Sequence, residues 1–174
     1  MQSIVSVCVL LSTPLLVATG SGSGEAANGL VLTIKEVAKS GRVVLDIGNV
    51  SGRPIRLWKE SNSWGAARWR VLRLRGERLD TFYENPDQDF LLNRPQLEEI
   101  RPGEHVVRAL DPNAGNWCAF GRCTKELERR TKDQSVSFES GDVTRVIYDV
   151  PDMPPSSYQL KAWYGVIAAS TMVR

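Results

Sequence analysis

Val43-Val44-Leu45-Asp46-Ile47-Gly48-Asn49-Val50-Ser51-Gly52-Arg53-Pro54-Ile55-Arg56-Leu57-Trp58 reads as a strand, a turn and a second strand. Val43, Leu45 and Ile47 fall on one face with Asp46 and Gly48 opposite, the period of two that a half-buried strand requires. Ser51-Gly52-Arg53-Pro54 supplies the turn chemistry, and Ile55 resumes the apolar run. Upstream, Leu30, Leu32 and Ile34 repeat the pattern. Downstream, the same reading predicts strands at Ala67–Arg75, Leu97–Ile100, His105–Leu110, Ser135–Glu139, Val143–Val150 and Tyr158–Ile167. Gly, Pro, Asn and Ser clusters separate these runs, which predicts an all-β sandwich or barrel. The one stretch with a helical period, Lys125–Arg130, is too short to stand alone.

The remaining composition fits a single globular domain. The chain has 174 residues, 42% hydrophobic and 24% charged, which excludes a disordered chain, a collagen and a polytopic membrane protein. A net charge of +2 is too small to argue for nucleic acid. No cofactor and no metal site is expected.

Residues 4–18 form an apolar run shorter than the ~20 residues a membrane-spanning helix needs. Thr19-Gly20-Ser21-Gly22-Ser23-Gly24-Glu25-Ala26-Ala27 follows, small residues of the kind signal peptidase accepts. The chain is therefore divided into a signal peptide with a short Gly/Ser linker (1–27) and one domain (28–174). It is expected to be exported, with no stable membrane span after cleavage. The n-region Met1-Gln2-Ser3 lacks Lys and Arg, so an uncleaved anchor is the alternative. Cleavage removes Cys8 and leaves Cys118 and Cys123, whose spacing in an exported protein makes them a disulfide candidate.

Three segments together resemble small bacterial immunoglobulin-like domains, including the BsuPI-like intracellular proteinase inhibitor family. They are Leu45–Leu57 as a strand–turn–strand hairpin, Ile100-Arg101-Pro102-Gly103-Glu104 as the turn before a middle strand, and Pro154-Pro155-Ser156-Ser157-Tyr158-Gln159-Leu160 as the entry to the last strand. Asn62-Ser63-Trp64-Gly65 and Asn116-Trp117 are similar to segments of uncharacterised exported proteins of planctomycete-type bacteria. The resemblance implies an antiparallel immunoglobulin-like β-sandwich. Inhibition is not carried over, because an intracellular inhibitor would conflict with the export signal.

No enzyme motif emerges. His105 is the only imidazole and lies on a predicted strand with no triad around it. Asp87 and Asp89 read as a solvated turn. Asp111–Asn116 faintly resembles a calcium loop, but its glycine is misplaced and Arg122 stands where a bidentate Glu belongs, which excludes an EF-hand and leaves weak calcium binding open. Asn49-Val50-Ser51 is a formal glycosylation sequon that reads as a turn. Arg68, Arg70, Arg73, Arg75 and Arg78 are clustered. A β-bulge at Val71-Leu72 would return Leu72 and Leu74 to the core and turn every arginine outward as a solvated stripe.

The tryptophans carry the functional expectation. Trp58, Trp69 and Trp163 sit in apolar runs and are expected in or beside the core. Trp64 and Trp117 sit in polar, Gly-containing stretches, the second inside a long loop at 111–125. Two outcomes are open for them: plugs that cap one end of the fold, or an exposed aromatic patch with Phe120 and Arg122 at its edge. The expectation is an exported, non-catalytic interaction module that binds a protein partner through Trp64, Trp117, Phe120 and Arg122. Carbohydrate binding is second and a small hydrolase a distant third.

Overall fold

Asn28 and Gly29 take left-handed backbone (φ 48° and 82°) and fold β1 (Ala26–Ala27) back on β2 (Leu30–Val37). Asn-Gly is the dipeptide that such two-residue hairpins favour, because both central positions need positive φ. The computed structural model describes residues 26–60, 65, 67–84, 96–114, 117–119, 135–151 and 161–174. Every regular element among them is a strand. β3 (Val43–Asn49), β4 (Ile55–Trp58), β5 (Trp69–Arg75) and β6 (Arg78–Glu84) follow in order. β7 (Leu97–Ile100), β8 (His105–Leu110), β9 (Trp117–Ala119), β10 (Val143–Val150) and β11 (Gly165–Met172) complete the chain.

The strands form a four-stranded sheet in the order β1-β2-β3-β8, a five-stranded sheet in the order β11-β10-β5-β6-β9, and the pair β4-β7. All pairings are antiparallel. One cluster of buried side chains joins all three. Leu30, Leu32, Ile34, Leu45 and Ile47 come from the first sheet, and Trp69, Val71, Val146 and Ile167 from the second. Ile55, Leu57 and Ile100 come from the pair.

Asn49 explains the turn that follows β3. Only 1% exposed, its Nδ2 donates to the carbonyls of Arg53 (2.9 Å) and Ile100 (2.8 Å). Its Oδ1 accepts from the Ser51 N–H (2.8 Å) and hydroxyl (2.7 Å). The nitrogen that glycosylation would modify is thus buried and fully used in holding the turn.

Several expectations are corrected. β5 pairs with β6 and β10 without a register break, so Val71-Leu72 carries no bulge and alternation is strict. The register shift that does occur lies in β2, between Ile34 and Glu36. Arg73 therefore points inward, 12% exposed, and Leu74 points outward. The arginines are not a solvated stripe. Arg73 and Arg75 are held by acids instead.

Ser135–Glu139 is not a strand. Phe138 is buried there, its N–H donating to Lys39 O (3.2 Å), while Asn113 brackets Val136. Of the expected strand Tyr158–Ile167, Tyr158–Leu160 lie outside the described residues, Lys161–Tyr164 are not strand, and β11 begins at Gly165. Trp163 stops short of it, its N–H donating to Arg56 O (2.7 Å) and its ring stacking on Tyr148 (5.7 Å). Trp117 stands on β9, not in an irregular loop.

Candidate binding face

Alternation in a strand sends neighbouring side chains to opposite faces, so the register sorts the five-stranded sheet into two surfaces. Trp69, Val71, Arg73 and Arg75 of β5 face inward. Phe82 and Asp80 of β6 and Val146 and Thr144 of β10 lie opposite them. At one end of this inner face, Trp69 stacks on Tyr148 (4.3 Å) and donates from Nε1 to Glu60 Oε1 (2.9 Å). Burial pushes the Tyr148 phenol well above its usual range, and the charge of Glu60 adds to the effect. Glu84, also buried, accepts from the Ala67 N–H (2.9 Å), and Ala67 itself holds a left-handed φ of 58°. Burial raises the Glu84 carboxyl to about 6, the Ala67 bond works against this, and the charge of Glu60 adds to it.

At the other end the inner face is ionic. Arg73 Nη2 and Nε donate to Asp80 Oδ2 (2.6 and 3.2 Å), Arg73 also reaches Ser137 O, and its guanidinium lies over the Phe82 ring (5.5 Å). Burial would raise the Asp80 carboxyl, but hydrogen bonds from Arg73 and Arg78 outweigh it and hold the group below its ordinary value. Arg75 grips Asp142 in bidentate fashion, Nε to Oδ1 at 2.8 Å and Nη2 to Oδ2 at 2.7 Å. These bonds lower the Asp142 carboxyl to about 2.

The outer face is the inverse. Leu79 of β6 stands opposite Leu74 of β5, Leu74 opposite Val143 of β10, and Val143 opposite Met172 of β11. The result is one apolar row across four strands. Leu79 is 60% exposed, Leu74 39% and Met172 61%. The next row runs Thr81, Leu72, Arg145 and Ser170, and the one after it Tyr83, Arg70, Ile147 and Ala168. Directly opposed side chains sit close enough to form one surface. Val166 extends the exposed apolar area on β11. Arg70 is ion-paired with Asp149 on this face. Arg145 is exposed and has no ion pair or hydrogen bond to the described residues.

Of the expected site residues, the two that are described lie on β9, where the register turns Trp117 inward and Cys118 outward, in the row of Tyr83. Trp117 is half-buried, packs against the core and pairs with Glu84 across β6–β9. Cys118 pairs with Tyr83, is half-buried, and is engaged rather than free. Trp64, Phe120, Arg122 and Cys123 lie outside the described residues, as do Asp87, Asp89 and Lys125–Arg130. His105 packs over Gly48, and its Nδ1 lies 3.2 Å from both Asp46 carboxylate oxygens, on the outer side of the four-stranded sheet. Lys35 shares that carboxylate (3.2 Å). Among the described residues no group of three His, Cys, Asp or Glu side chains is placed to hold a metal ion, and no helix is long and apolar enough to cross a membrane.

No family model, curated protein or solved structure matches the chain. The outer apolar row was missed from sequence because the supposed bulge moved Leu72 and Leu74 inward. Strict alternation applied to Arg70–Leu74 and Val143–Ile147 would have found it.

Proposed function

We propose that the protein is an exported, non-catalytic interaction module that binds a protein partner through the outer face of its five-stranded sheet. The observation that carries this is the apolar row Leu79–Leu74–Val143–Met172. Side chains of this size cost free energy in water, and a contiguous set of them on one sheet face fits an interface rather than scattered exposure. Two sheets and a strand pair around one core fit a β-sandwich, with the immunoglobulin-like arrangement of BsuPI-like domains as its finer form. A Cys118–Cys123 bridge, formed after export, would pin the chain that leaves β9 at the edge of the same sheet. Carbohydrate binding would need Trp117 to offer an open ring face, and its packing against the core favours the protein partner instead.

Immobilised mature protein exposed to the extracytoplasmic fraction of its host tests this. The expected result is a protein retained by the wild type and lost with Met172→Glu, at an unchanged melting temperature. Retention of glycan alone, or of a protein indifferent to Met172→Glu, would overturn it.

A further inference from the structure

We infer that the partner presents a carboxylate framed by apolar side chains, and that it is not a second copy of this chain. The inference rests on the binding face proposed above and concerns what that face selects. Arg145 has Leu72 and Ser170 directly across the register and Val143 and Ile147 two residues along β10; the diagonal positions are Leu74, Met172, Ala168 and Arg70, the last paired with Asp149. Among the described residues of these outer rows, the Arg145 guanidinium is the one charge with no partner on its own surface. Arg70 has Asp149, whereas Arg145 has no partner among the described residues.

When a flat apolar surface is covered, a cation within it loses its water. It must then receive a hydrogen-bonding anion from the other side or oppose the association. The planar fork of arginine fits a carboxylate in two parallel bonds, so the complementary surface has an Asp or Glu among apolar residues. A second copy fits poorly. A two-fold interface sets the patch against itself, so each Arg145 would have to find its anion on the same patch, where Asp149 is already occupied by Arg70.

The test uses a phage library of random linear peptides selected on the immobilised mature chain. Enriched peptides are expected to carry Asp or Glu flanked by apolar residues. Arg145→Glu should weaken them by about tenfold or more, because it sets like charges against each other, whereas Arg145→Lys, which keeps the charge and loses the fork, should fall between Arg145→Glu and the wild type. Met172→Glu should abolish it. Peptides that depend on Met172 but lack an acid, or that are indifferent to Arg145→Glu, would overturn the carboxylate and leave the face standing. Peptides indifferent to both substitutions, or no enrichment at all, would overturn both. A concentration-dependent dimer in sedimentation that Met172→Glu dissolves would show a second copy as the occupant. Binding to vesicles of anionic phospholipid, lost with Met172→Glu, would show a membrane surface. Either result would overturn the inference.

Discussion

Along β5, Arg73 and Arg75 turn inward to Asp80 and Asp142, while Leu72 and Leu74 turn outward beside Arg145. The two faces of one sheet thus exchange their usual residue types. On the inner face each cation has an acid within hydrogen-bond distance, so charge can stay where the surrounding protein lowers the dielectric constant. On the outer face, apolar side chains remain in water with one unpaired cation among them. The difference teaches that the inner charges are answered within the fold and the outer apolar row is not, which is why the proposed function assigns that row to association. Substitutions on the two faces should therefore separate stability from binding.

The largest effect is expected on the inner face. Asp80→Ala leaves Arg73 nearly buried with only the Ser137 carbonyl to accept from it. Breaking such a pair strands a charge, and partial exposure tempers the cost to about 2–3 kcal/mol. Urea denaturation should show this loss, with Asp80→Asn intermediate. A loss below about 0.5 kcal/mol would mean that the inner ion pair is no more structural than a surface one.

How much of this was legible in the sequence follows the same division. Leu97–Ile100, His105–Leu110 and Val143–Val150 have the bounds expected from sequence, because Pro and Gly residues bracket each short run. β6 was missed. Its inward positions Asp80, Phe82 and Glu84 include two acids, so the alternation of polarity that marks a strand is absent although the alternation of direction is intact. The bulge at Val71-Leu72 came from the same assumption, that arginine must face water. The inward arginines are offset by acids whose placement needs the register, Asp80 on the neighbouring strand of the hairpin and Asp142 sixty-seven residues away. The final strand was displaced because Trp163 and Tyr164 look more strand-like than Ala168-Ala169, yet the small residues are the ones that pair with β10. Of the expected site, Trp117 and Cys118 stand on β9, and the outer row was legible only as alternation through Arg70–Leu74 and Val143–Ile147, which the supposed bulge concealed.

The two ends of the inner face should also differ in acid. Glu84, raised to about 6 from an ordinary 4.5, binds protons more readily folded than unfolded. Its contribution is therefore most favourable below about 4.5 and falls as the pH rises to about 6, by roughly 1–2 kcal/mol, then levels. Asp142, lowered to about 2 from 3.8, has the opposite sign: the stability it lends is present above 3.8 and is lost as the pH falls towards 2. Denaturation midpoints across this range should pass through a maximum near the lower end of the Glu84 window. Glu84→Gln should flatten the slope between 4.5 and 6 and leave the acid limb unchanged. An unaltered slope in that variant would remove Glu84 as its source.

The smallest effect on stability, and the most direct test of the outer face, is expected from Leu79→Lys and Met172→Lys. Leu79 and Met172 are more than half exposed, and substitutions of such residues away from special features change stability by about 0.5 kcal/mol or less. Equilibrium denaturation of the two single variants and their combination should reproduce the wild-type midpoint within that margin. A loss of about 2 kcal/mol or more at either site would show that the row is part of the core and contradict its assignment as the binding face.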